Sequence, residues 1–415
     1  MKRGTNLGTF FNVFSAAFGA LVVGLNLGGI SGAIDIIEQE FSLSALAKGF
    51  VTAILMIGCL LGALMGGRMS DKWGRKPMMI LSALLLGVSS LGCSILSEGA
   101  VALSVWRFIG GLGVGILSAV IPTYITEISP AEKRGTYVSF YQLFVVIGIF
   151  AAYTANYFFS QMDGSWHYML GLPVVFALVY LVLLASLPES PRWLSVNVER
   201  EKGAKLSELF HGRTGRVVFL GSLLAFFQQI TGINVVINYA PGILSSIGIA
   251  GSAPLLQTVM IGAANMFFTV IALWLCDKFG RKTLLLCGCA GCFVSLLYIT
   301  VAFATPDPSN AGLLIAILAY IAFFALSLSP LMFVVTSEMY PSHIRGTAMA
   351  LSTGISWACA FLVVQFYPWI ESTLGTSAAF GIFAVLMLCA GLFIKFCIPE
   401  TKGKKLEDIQ KELGL

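Results

Sequence analysis

Four carboxamides fall within one short apolar stretch, Gln228, Gln229, Asn234 and Asn238 in QQITGINVVIN. A neutral amide both donates and accepts hydrogen bonds, so a cluster of amides suits an uncharged ligand rich in hydroxyl groups, without the cost of burying a charge. The bland reading is amide glue between helices, but so many amides in one stretch exceed what packing requires. Gly232 stands between the two pairs, where it loosens a helix, and Pro241 lies beyond. A lone amide, Asn26, interrupts a second apolar stretch, VGLNLGGISGAI. An amide cannot titrate, so Asn26 is no acid or base.

A second set of residues pairs acids with bases, and it occurs twice. DKWGRK, with Asp71 and Arg75, recurs as DKFGRK, with Asp277 and Arg281, 206 positions on. TEISPAEKRGT, with Glu127 and Arg134, recurs as SEMYPSHIRGT, with Glu338 and Arg345, 211 positions on. PES, with Glu189, recurs as PET, with Glu400, again 211 positions on, and Arg192 follows the first copy. Three elements repeated in one order at nearly one offset indicate a duplicated unit. Acids there can pair with arginines and with helix ends, acting as a latch between the inner ends of helices.

The elements that must carry these residues are membrane helices. The chain has 415 residues, 57% hydrophobic and only 11% charged, with a mean hydropathy of +0.89, against about 25% charged in a soluble domain. Runs of about 20 apolar residues suffice to span a bilayer. Such runs are expected near 8–34, 46–67, 78–97, 101–126, 136–158, 168–187, 217–247, 254–275, 283–304, 312–336, 346–368 and 376–398. The first run is read as a retained span, because no small-residue cleavage site follows a short apolar core. Basic residues crowd one side, from Lys2 and Arg3 through Lys72, Lys76, Lys133 and Lys278 to the lysines after residue 400, while the other side keeps almost only Lys48. That asymmetry predicts both termini in the cytoplasm. It also assigns the net charge of +5 to orientation in the membrane, so no nucleic-acid partner is expected. The expected domains are 1–187 and 217–398, each a six-helix bundle, with a cytoplasmic linker at 188–216 and a tail at 399–415.

These residues resemble the sugar porter family of the major facilitator superfamily. The resemblance rests on GGRMSDKWGRK at 66–76, RFIGGLGVGILSAVIPTYITEISPAEKRG at 107–135, PESPRWL at 188–194, QQITGIN at 228–234, the second DKFGRK and PETKG at 399–403. It implies an all-α protein of two pseudo-symmetric bundles, working by alternating access on a monosaccharide, with no cofactor, no metal and no enzymatic step. It further implies a bacterial cytoplasmic-membrane location, a bilayer and a sugar as partners, and a monomeric state. Gln142 and Asn265 would join Gln228, Gln229, Asn234 and Asn238 around the sugar. Where the family carries a Trp in its tenth span this chain has Phe333, which keeps an aromatic face but loses the indole donor. In the eleventh span Ser356 precedes Trp357 where an amide is usual. Proton-coupled members place an aspartate at the position of Asn26, near an arginine matching Arg107, whereas the facilitative glucose carriers have asparagine. The resemblance therefore implies a passive uniporter.

Proton-coupled symport through a displaced acid, Asp35 first among them, is the alternative; Asp35, Glu38 and Glu40 are otherwise read as solvated. A sugar sensor is disfavoured by the short tail, and a membrane enzyme by the absence of HExxH or GxSxG. The nine scattered cysteines, with Cys287, Cys289 and Cys292 in one span, read as packing residues. GLGVG at 111–115 reads as close helix contact, and His167, His211 and His343 as surface residues. SVNVEREKGAKLSELFHG reads as a single amphipathic helix.

Overall fold

The computed structural model of the chain describes residues 6–130, 133–195, 212–246, 253–305, 309–341, 344–402 and 404. Among them all regular structure is helical, and twelve helical spans are long and apolar enough to cross a membrane. The chain divides into two compact units, Met1–Arg200 and Glu201–Leu415. All but the first and last residues of SVNVEREKGAKLSELFHG lie outside the described residues, as do His211 and His343.

Unit 1 contains α1 (Asn6–Glu40), α2 (Ala45–Trp73), α3 (Arg75–Ile95), α4 (Ala100–Ile128), α5 (Arg134–Phe159), α6 (Ser165–Gly171), α7 (Pro173–Ser186) and the short α8 (Pro191–Ser195). The Ser44 hydroxyl caps α2 by accepting from the Ala47 amide at 3.3 Å. The helices approach closely because glycines face carbonyls. A Cβ on Gly111 would lie 2.0 Å from the Leu55 carbonyl oxygen, and one on Gly58 2.3 Å from that of Phe108. GLGVG is thus the contact surface of α4, with Gly111 and Gly115 against α2 and Gly113 against Ser82 and Leu86 of α3.

Unit 2 contains α9 (Gly212–Ile230), α10 (Ile233–Ser245), α11 (Ala253–Lys278), α12 (Arg281–Ala304), α13 (Asn310–Leu326), α14 (Leu328–Met339), α15 (Arg345–Leu374) and α16 (Thr376–Cys397). Its first and fourth spans are broken. The first is split between α9 and α10 at Gly232, whose φ is +96° and whose Cβ would strike the Phe383 ring at 2.6 Å. The fourth is split between α13 and α14 at Ser327. The corresponding spans of unit 1, α1 and α4, run unbroken.

The span expected to end at 368 runs on to Leu374, with Pro368 inside α15. A proline in a helix deprives the carbonyl four residues back of its donor. Here that carbonyl belongs to Val364, and the Tyr239 hydroxyl supplies the missing bond at 3.0 Å. A tertiary contact thus lets the helix continue through a residue that local reasoning takes as its end.

Candidate functional site

At one end of unit 1, α2 stops at Gly74 and α3 begins at Arg75. Arg75 turns its guanidinium onto Glu127 of α4, with Nη2 to Oε1 at 2.9 Å and Nε to Oε2 at 3.1 Å. Its Nη1 donates to Asp71 at 2.7 Å and to the Ser70 carbonyl at 2.8 Å. Ser190 closes the cluster by donating to Glu127 Oε2 at 2.5 Å. Glu189 accepts from the backbone amides of Arg75 at 3.0 Å and Lys76 at 3.1 Å, capping a helix start that has no side-chain cap of its own. Glu127 is therefore paired with Arg75, while Arg134 and Arg192 of the expected latch are exposed. Sequence reasoning missed Ser190; the signal was the hydroxyl that follows the acid in both PES and PET.

The second copy is looser. Arg281 Nη2 meets Glu338 Oε1 at 3.5 Å. Glu338 Oε2 and the hydroxyl of Thr401, the repeat of Ser190, are buried without a hydrogen-bond partner among the described residues. Arg345 donates from Nε to the Tyr340 carbonyl at 3.3 Å, and the Asp277 side chain lies outside the described residues. Glu400 repeats the role of Glu189, accepting from the amides of Arg281 at 2.8 Å and Lys282 at 3.2 Å. Burial alone would raise the Glu400 carboxyl, but the amides of Lys402, Arg281, Lys282 and Thr401 together hold it below its ordinary value.

Asn26 and Arg107 line one small cavity inside unit 1, with Ser89, Ser90 and Cys93, and its free space is about that of one water. The Asn26 amide donates to the Val22 carbonyl at 2.9 Å, and Ser90 reaches its oxygen at 3.4 Å. Arg107 is buried and donates to the carbonyls of Val51 and Thr52 at 2.8 and 2.9 Å. Backbone carbonyls thus accept both of these hydrogen bonds. No carboxylate lines the cavity among the described residues.

The acids beyond Asn26 each have a partner as well as solvent: Glu40 is exposed, as expected, and Asp35 and Glu38 are partly exposed. Lys48 lies between Asp35 at 2.8 Å and Glu38 at 2.7 Å, and Glu40 accepts from the Trp166 indole at 2.6 Å. The reason is that α1 continues to Glu40, so these carboxylates stand on a helix beside a largely buried ammonium. His167 is likewise half-buried: its ring stacks on Trp166, and Nδ1 donates to the Ser94 carbonyl at 2.7 Å.

In unit 2 the break at Gly232 divides the amides into two pairs that reconnect through hydrogen bonds. Gln229 Nε2 donates to Ser356 at 2.9 Å and to Gln228 Oε1 at 3.3 Å, and its oxygen accepts from Asn234 at 2.5 Å. Asn238 donates to the Asn234 carbonyl at 2.7 Å. Gln228 Nε2 reaches the carbonyls of Leu328 at 3.1 Å and Ser329 at 3.4 Å, just past the break in the fourth span. Five expected residues, Gln228, Gln229, Asn234, Asn238 and Ser356, are therefore one network. Asn265 and Trp357 are half-buried on α11 and α15 without a bond to it, Phe333 is exposed on α14, and Gln142 is half-buried on α5 of unit 1.

The family of sequences described as "Sugar (and other) transporter" matches residues 12–207 and 197–413. The chain is 34% identical to a putative metabolite transport protein, YwtG, of Bacillus subtilis, over 100% of this chain and 96% of that protein. It is 33% identical to the arabinose-proton symporter of the same organism, over 96% and 93%. It superposes on the crystal structure of a D-xylose-proton symporter with a TM-score of 0.85 at 32% identity, covering 95% of this chain and 99% of that one. The chain belongs to the sugar porter family of the major facilitator superfamily. It is a sugar transporter and not an enzyme, carried as a multi-pass protein in the cytoplasmic membrane.

Proposed function

We propose that the chain carries a monosaccharide, a hexose or a sugar of similar size, by alternating access. The observation that carries this reading is the connected amide network of unit 2, neutral groups that exchange hydrogen bonds with hydroxyls one for one. Gln228, Gln229, Asn234, Asn238, Asn265, Phe333, Ser356 and Trp357 are its ligands in unit 2. The clusters at Arg75–Glu127 and Arg281–Glu338 are latches on the cytoplasmic side, where both termini lie. Gln228→Ala is expected to weaken sugar binding about tenfold, the worth of one or two buried hydrogen bonds; wild-type affinity in that variant refutes the site.

For the mode of transport, the comparisons favour proton-coupled symport over the uniport expected from Asn26, because similar proteins are named for that activity. Asn26 cannot be the proton site, so coupling requires another acid. Asp35 and Glu38 are our choice: two carboxylates stand against the one Lys48 ammonium, at 2.8 and 2.7 Å, leaving one negative charge in excess. Uniport is the second reading, on one specific observation, the Asn26–Arg107 cavity without a carboxylate among the described residues. Labelled xylose and glucose entry into liposomes separates the two. Accumulation driven by an inward proton gradient, and lost in Asp35→Asn, supports symport; entry that only equilibrates and ignores the gradient establishes uniport.

A further inference from the structure

The two broken spans of unit 2 are tied to each other. Where α9 ends, the Thr231 carbonyl points away from any helical ladder, and lipid offers no water to satisfy it. Tyr320 of α13 donates to it at 3.0 Å, from a side chain that is fully buried. The Thr231 hydroxyl in turn donates to the Gln228 carbonyl at 3.3 Å. In the opposite sense, the Gln228 side chain of α9 grips the Leu328 and Ser329 carbonyls at the start of α14. Each span therefore holds the other where it bends.

The two ties differ in what they can release. Gln228 Nε2 has two protons, and both face these carbonyls, so donating to a ligand means letting go of α14. The Tyr320 bond is sealed from any ligand and stays. From this asymmetry we infer that Tyr320 is a positioning residue: its hydroxyl fixes the angle between α9 and α10, and so the spacing of Gln228 and Gln229 from Asn234 and Asn238. The role rests on the monosaccharide reading above for its consequence, though not for its geometry. A misplaced ligand set costs affinity even when every ligand is present.

The test is Tyr320→Phe in the full-length protein, which deletes one oxygen and keeps the ring. Hydrogen exchange of residues 229–235 is expected to rise about tenfold, the effect of one lost buried hydrogen bond, while α1 exchanges as in the wild type. The KM for D-xylose or D-glucose is expected to rise about tenfold with the maximal rate within about twofold, since the ligands survive but their spacing does not. A uniform rise in exchange across unit 2, or a loss of rate without a change in KM, would reduce Tyr320 to a packing residue and overturn the assignment. Should the variant not fold, the wild type still decides. Tied breaks open together, so the segments around Gly232 and Ser327 must exchange at rates within about twofold, and rates more than tenfold apart refute the tie. If exchange behaves as stated but neither sugar binds the wild type, the strut stands and the monosaccharide reading falls. If sugar binds the wild type and Tyr320→Phe exchanges like it, the strut falls alone.

Discussion

Neutralising the same acid in the two halves should have unequal effects. Glu127 is 5% exposed in its side chain and Arg75 10%, and the carboxylate takes two guanidinium bonds and one from Ser190. Glu127→Gln leaves a buried guanidinium with only the exposed Asp71 carboxylate as its counter-charge, and breaking a buried pair costs about 3–5 kcal/mol. Glu338 is 30% exposed and meets Arg281 once, at 3.5 Å. Its interaction is worth about 1 kcal/mol or less, the range of a partly solvated pair. Thermal melting of the purified protein, followed by tryptophan fluorescence, should therefore fall by roughly 6–20 °C in Glu127→Gln and by no more than a few degrees in Glu338→Gln, at about 2–4 °C per kcal/mol. Ser190→Ala should fall between them, because it removes one hydrogen bond and no charge. Equal losses in the two glutamate variants, or a larger loss at Glu338, would refute the argument that bond number and burial set the strength of the two latches.

Asn26→Asp places a carboxylate in the cavity of Arg107, and transport by that variant should acquire a pH dependence that the wild type does not share; identical pH–rate profiles would show that the cavity is closed to protons in every state. Glu400 is held below its ordinary value of 4.5, so it binds fewer protons folded than unfolded and contributes stability above that pH, lost as pH falls through the depressed value. Melting between about pH 5 and pH 3 should accordingly decline less in Glu400→Gln than in the wild type. Gly111→Ala puts a methyl 2.0 Å from the Leu55 carbonyl oxygen, forcing α2 and α4 apart, and should abolish folded yield, whereas Gly67→Ala, with nothing within 4 Å of its Cβ, should not.

The spans and the duplication were legible because hydropathy and motif spacing are linear properties. The amide cluster was legible for the same reason: four of its five connected members lie within one stretch. What escaped was every partner set by packing across long separations. Nothing near Glu127 in the sequence selects Arg75 over Arg134, which is much closer along the chain. Arg107 donates to the carbonyls of Val51 and Thr52, which carry no signature in residue type. Lys48 was counted only for its sign, although it sits between two acids of α1. Tyr320 and Tyr239 stand in no motif, yet each donates to a carbonyl left without a helical partner, one at a break and one at Pro368.

Glu189 and Glu400 supply from far along the chain what a capping residue ordinarily supplies from next door. The start of α3 has only Gly74 before it, and its amides wait for a carboxylate 114 positions later; those of α12 wait for one 119 positions later, close to the last residue. As the chain emerges from the ribosome, the third span of each half therefore enters the bilayer with a frayed end, and it is finished only when the sixth span of its own half has been made. Each half thus carries a completion signal at its close. A ribosome stalled before residue 189 should leave α3 open to hydrogen exchange at Arg75 and Lys76, however well the spans already made have packed.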